Sequence, residues 1–70
     1  MGKLALARRI ETVALPGGAT VRVKLAVDPA GSVVNVQTEH DDVEAAATAS
    51  GLPVKVVLAQ AQAAASSLWG

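Results

Sequence analysis

Between Thr20 and Val27 the chain alternates without a break. Val21, Val23, Leu25 and Val27 fall on one side of an extended backbone, and Thr20, Arg22, Lys24 and Ala26 on the other. Strand side chains alternate between faces with a period of two, so this is a strand with one face to bury and one left to water. The constraint on the remaining residues is tight: neighbouring strands must satisfy the backbone, and something apolar must cover the Val21/Val23/Leu25/Val27 face.

Turn chemistry marks the neighbours. Pro16-Gly17-Gly18 precedes the strand and Asp28-Pro29-Ala30-Gly31 follows it; proline presets φ at a turn's second position and glycine tolerates positive φ after it. Upstream, Arg8 to Leu15 is expected as a strand on Ile10, Thr12 and Val13, with Met1 to Ala7 as a frayed start or part of that strand's edge. Downstream, Ser32 to Thr38 is expected as the third strand, with Val33, Val34 and Val36 in a half-buried pleat. Two short turns between three strands make an antiparallel meander.

The cover follows in sequence. From Asp42 to Ser50, Val43, Ala46 and Ala47 stand at the spacing of one helical face, and Gly51 is placed to end that helix in the left-handed region. Thr38, Asp41 and Asp42 carry oxygens able to cap the helix start. Pro53 suits the first turn of a second helix, where its missing N–H would have no partner in any case. That helix carries Val54, Val57, Leu58, Ala61, Ala65 and Leu68 on one stripe, with Trp69 expected as its last anchor. The predicted fold is α+β, one small domain over 1–70: a three-stranded antiparallel meander (8–38) followed by two short helices (41–69) packed on one face, in the order βββαα.

Composition says the core is thin. A chain of 70 residues removes only about 60% of its exposable surface from water on folding. Its hydrophobic share is 51%, but much of that is alanine, and Trp69 is the one aromatic residue. Cysteine is absent, which excludes disulfides and thiolate metal sites and leaves association, a bound ion or a larger protein as the expected staple. The expected partner is a second copy of the chain or a longer protein. Six Lys plus Arg balance six Asp plus Glu, so no net field draws the chain to nucleic acid or an anionic membrane. No run approaches the roughly 18 apolar residues of a membrane span, and Met1 to Ala7 is too short for a secretory h-region. The expectation is a cytoplasmic protein with neither nucleic acid nor membrane as partner.

Two groups of residues carry chemistry. Glu39, His40, Asp42 and Glu44 cluster at the junction of third strand and first helix, where carboxylates suit hard cations and imidazole suits nickel, zinc or manganese. The alternative is that Asp41 and Asp42 cap the helix and favour its positive end. Arg22 and Lys24 share the water-facing side of the second strand, with Arg8 or Arg9 placed to join them across the hairpin. Such cations suit a phosphate or nucleotide, or are simply the solvated side of the sheet. The helix–turn–helix spacing from Glu44 to Leu68 lacks a recognition helix's charge, since Lys55 is the only cation of the second helix. No aromatic residue lies on the strands to stack an RNA base. Ser66 and Ser67 have no neighbouring histidine, and no loop has phosphate-cradle spacing, so no catalytic constellation is present.

Taken in order, Arg9-Ile10-Glu11-Thr12-Val13, Thr20-Val21-Arg22-Val23-Lys24, Val34-Asn35-Val36, Glu39-His40-Asp41-Asp42-Val43 and Ser50-Gly51-Leu52-Pro53-Val54-Lys55-Val56-Val57 form a pattern. It resembles the C-terminal end of the nickel insertion proteins that complete the nickel-pincer nucleotide cofactor of lactate racemase. The resemblance implies a cytosolic activity that uses a cytidine nucleotide and a divalent metal to place nickel in a pyridinium-derived mononucleotide, and the expected ligands of this chain are nickel or manganese and a cytidine nucleotide. It implies a stand-alone module similar to that segment, not catalytic alone, that binds metal or nucleotide or a longer partner. Glu39, His40, Asp42 and Glu44 would stand on the metal side and Arg22 and Lys24 on the cofactor side. Thr38 stands where the family usually has proline and His40 where it has an aromatic residue, so His40 adds a nickel-competent ligand. The other expectation, of a different class, is a structural domain that homo-oligomerises without ligand chemistry.

Overall fold

The computed structural model describes residues 6–69. Three strands, β1 (Ala7–Ala14), β2 (Thr20–Val27) and β3 (Val33–Thr38), are followed by two helices, α1 (His40–Ser50) and α2 (Val54–Ala65), and a closing 3₁₀ turn at Ser66–Leu68. The sheet order is β1-β2-β3, antiparallel throughout. The α+β meander and helical pair read from the sequence are therefore present. Of the stretch expected to fray, residues 1–5 lie outside the described residues, and Ala7 already belongs to β1.

β2 is central, and its alternation is realised: Val21, Val23 and Leu25 are buried while Thr20, Arg22 and Lys24 are exposed. The register sets Val13 opposite Val21 and Ile10 opposite Lys24, so each residue of β1 shares a face with its β2 partner. On the inner face Val13, Leu15, Val21, Val23 and Leu25 meet Val43, Ala46 and Ala47 of α1 and Val57, Ala61 and Ala65 of α2. The alanines let both helices approach the sheet closely. No polar or charged side chain is buried among the described residues.

Three local expectations change. The β2–β3 ladder shifts register between Ala26 and Val27, which pair with Asn35 and Val33 and skip Val34. Two adjacent valines cannot both face inward on a regular strand; the bulge sends Val34 out to 47% exposure and keeps Val33 and Val36 half-buried. Helix α1 begins at His40 with Glu39 at its N-cap and no side-chain cap bond. Thr38, Asp41 and Asp42 thus do not cap it, although Asp41 and Asp42 lie in its first turn and favour its positive end. Trp69 is no anchor: at the chain's end it is 51% exposed.

The turns follow the expected chemistry. The Asp28 carboxylate accepts the backbone N–H groups of Ala30 and Ser32 at 3.0 and 2.9 Å, which fixes the β2–β3 connection. Gly51 has φ +72° and donates its N–H to the Ala47 carbonyl, closing α1. Pro53 stands at the N-cap of α2, one place before the first helical residue, and its carbonyl accepts from Val56 and Val57.

Candidate functional site

The six residues singled out by sequence fall into three side-chain pairs. Arg22 is the first. Its place on the water-facing side of β2 puts it beyond the end of β3, which pairs only as far as Thr38 opposite Val23. The ladder gains one further bond there, from the Glu39 N–H to the Arg22 carbonyl at 2.9 Å. Arg22's own backbone N–H is met by Asp42, whose Oδ2 accepts it at 2.9 Å. The same carboxylate accepts the guanidinium at both oxygens, Nε at 2.8 Å and Nη2 at 2.9 Å. One side chain of α1 thereby holds both the backbone and the side chain of β2. Bidentate Arg–carboxylate pairs are the strong members of their class.

The electrostatics follow from that geometry. The side-chain and backbone hydrogen bonds from Arg22 pull the Asp42 carboxyl down from 3.8 to about 2, against a smaller opposing effect of burial. In return Asp42, by hydrogen bond and charge, holds the Arg22 guanidinium above its ordinary value.

Lys24 forms the second pair. Its Nζ lies 3.3 Å from Oε1 of Glu39, diagonal to it across the β2–β3 ladder. The third pair is His40 with Glu44, Nε2 to Oε2 at 3.1 Å, one turn apart on α1. The helix begins early enough to place both on it. Their side chains are 73% and 56% exposed, whereas Asp42's is 20% exposed. His40 and Glu44 are therefore open to an incoming ion, and Asp42 is engaged in holding the fold. Among the described residues no group of three His, Cys, Asp or Glu converges. The donor set fits a two-point hold on a cation, not a closed cage.

Arg8 and Arg9 separate. Arg8 pairs with Ala26 and so lies on the outer face with Lys24, whereas Arg9 pairs with Leu25 on the helix side. On the outer face a shallow cavity of about 210 Å³ has Arg8, Ile10, Lys24, Asn35 and Gln37 among its lining residues. Sequence reasoning missed the two amides. Their position beside Lys24 depends on the β3 register, and the bulge sets Asn35 opposite Ala26.

Among models of known families, the one described as nickel insertion protein matches residues 1–58 of the chain. The chain belongs to the nickel insertion protein family. The matched span takes in the whole sheet, α1 and the first turn of α2, and with them every residue of the three pairs. No curated protein and no solved structure matches the chain. Membership in this family connects the chain with nickel. No helix among the described residues is long and apolar enough to cross a membrane.

Proposed function

We propose that this chain serves nickel insertion in the cytoplasm as a binding module, not as the catalyst, and that it presents nickel, its substrate, with His40 and Glu44. The observation that carries the reading is the exposed His40–Glu44 pair, with Nε2 and Oε2 3.1 Å apart on one helix face. Side chains four apart on a helix are neighbours, so imidazole and carboxylate reach one ion together. That mixture suits nickel better than a hard ion such as manganese. Glu39 and Asp42 act at one remove, since their bonds to Lys24 and Arg22 fix where α1 starts relative to the sheet. Two protein ligands leave the remaining coordination positions to water, to a longer partner protein or to a second copy. Such openness suits a site that must release its metal.

Titration calorimetry with nickel and with manganese tests this directly. Nickel should bind more tightly than manganese and should raise the melting temperature in proportion to its occupancy. His40→Ala should abolish the heat of nickel binding while the circular dichroism spectrum stays unchanged. An absence of heat at millimolar nickel would rule the reading out.

A second reading concerns the outer face. The cavity between Arg8 and Lys24, with the Asn35 and Gln37 amides beside it, offers cations and hydrogen-bond donors to the phosphates of a cytidine nucleotide. Arg22 contributes less there, because Asp42 already occupies its Nε and Nη2. Lys24→Ala should weaken nucleotide binding at least as much as Arg22→Ala, and equal nucleotide affinity in wild type and Lys24→Ala would dismiss this role. Were neither ligand to bind, the chain would be an interaction domain without ligand chemistry.

A further inference from the structure

β1 is an eight-residue edge strand. Its register with β2 runs from Ala7 opposite Val27 to Ala14 opposite Thr20 without a bulge, and it contains no proline. Among the described residues no strand lies beyond it. Edge strands are usually blunted by bulges, prolines or a covering element, because a free row of N–H and C=O groups invites another strand. The opposite edge has such devices: β3 carries the bulge at Val34, and Trp69, Gln62 and Ala65 flank Val36, Gln37 and Thr38.

The charges of β1 choose the strand that it accepts. Arg9 and Glu11 lie on the helix side of the sheet, paired with Leu25 and Val23, and their side chains are 3.2 Å apart, Arg9's exposed and Glu11's partly so. Ile10 lies on the outer face, 55% exposed. When a second β1 is laid antiparallel beside the first, with a two-fold axis perpendicular to the sheet, inward residues of both copies stay on one side. Opposed residues must then both be inward or both outward. With the axis at Ile10, Arg9 of each copy faces Glu11 of the other, Ile10 faces Ile10, and Ala7 faces Val13. Shifting the axis to Arg9 opposes two arginines, and shifting it to Glu11 opposes two glutamates. Opposite charges directly across a ladder stabilise it, and like charges do the reverse.

We infer that a second copy of this chain docks on β1 in the Ile10-centred register, giving a continuous six-stranded antiparallel sheet with all four helices on one side. The two internal Arg9–Glu11 pairs join into a ring of four alternating charges around the axis. The two-fold is isologous and closes, so the assembly stops at a dimer. One strand edge buries less than the roughly 1,200 Å² of a standard interface, so the equilibrium is concentration-dependent, not permanent. The inference is independent of nickel binding and is tested without metal.

Sedimentation equilibrium from micromolar to millimolar chain should show a monomer–dimer equilibrium. Arg9→Glu alone sets a carboxylate against the Glu11 carboxylate of the other copy, and Glu11→Arg alone sets a guanidinium against that of Arg9. Each should weaken self-association by about tenfold or more. Mixing the two variants in equal amounts should restore dimers, because one copy is then acidic and the other basic at both positions. The exchange of both in one chain, R9E/E11R, should restore them as well. Should a reversal disturb the fold by circular dichroism, Ile10→Lys, a change at an exposed outer position, puts two ammonium groups on the axis and should leave monomers. A wild-type monomer at every concentration would overturn the inference. So would a dimer unmoved by these changes, which would rest on another surface, or a failure of the mixture and the double exchange to recover it.

Discussion

Asp42 is the residue whose role differs most from its sequence reading. Two consecutive acids before an alanine-rich run look like helix capping, and that motif is local. The partner is not: Arg22 lies 20 positions earlier, and only the β2–β3 register and the start of α1 bring the two together. Glu39, His40, Asp42 and Glu44 at the strand–helix junction, and Arg22 with Lys24 on the water-facing side of β2, were legible as two separate groups, because the junction determines the one and the alternation of β2 the other. That Arg22 pairs with Asp42 and Lys24 with Glu39 was not, because that depends on where β3 ends. The consequence is measurable. Asp42's carboxyl titrates at about 2 in the fold against 3.8 in the ordinary chain. A depressed carboxyl contributes stability that is fully present above the unfolded value and is lost as pH falls through the folded one. Wild type should therefore lose melting temperature as pH falls from about 4 to about 2, with the carboxyl's contribution gone below that. Asp42→Asn should melt lower than wild type at neutral pH, and the gap should close at the acid end of a circular-dichroism series. A gap constant with pH would show that charge at Asp42 does not matter. His40→Ala, at an exposed position, should shift stability by no more than about 0.5 kcal/mol.

At the level of elements, the strands and helices were readable because each carries one unambiguous period and is punctuated by glycine or proline. β2 alternates over its whole length, and α1 and α2 each hold an apolar stripe ended by a clear stop or start. The bulge at Val34 was not readable. Val33-Val34 looks like any β-branched pair, and which valine leaves the core depends on a register against β2 that no local pattern states. Gly51 supplies a clean test of the helical hairpin. Nothing lies within 4 Å of a Cβ placed there, so Gly51→Ala introduces no clash and probes only the backbone at φ +72°. An alanine held in the left-handed region costs roughly 1–2 kcal/mol, and about 4–8 °C of melting temperature per kcal/mol is expected for a domain of this size. A thermal melt unchanged by Gly51→Ala would mean that the α1–α2 turn relaxes freely.

At the scale of the whole molecule, the inner face of β2 is the centre of everything else. Val21, Val23 and Leu25 are almost wholly buried, and the layer above them is built from Val43, Val57 and alanines. A domain of this length has about 4–10 kcal/mol of stability to lose. Leu25→Ala removes the largest fully buried side chain and should cost about 2–5 kcal/mol, roughly half of the total, and so lower the urea midpoint strongly. Full retention of the urea midpoint would mean that β2 does not anchor the core. The expected thin core is thus confirmed, and its reason is visible: the helices contribute small residues so that they can lie close to the sheet. The exposed end of the chain has a practical side. Trp69 is the sole Trp, and the sequence has neither Tyr nor Phe, so it is the molecule's only strong ultraviolet chromophore. With its indole half in water beside Gln62 and the end of β3, its emission in the folded state should be close to that of a solvated ring. Fluorescence will therefore change little on unfolding. What it will detect, through quenching by iodide, is anything that comes to rest against the groove beside β3.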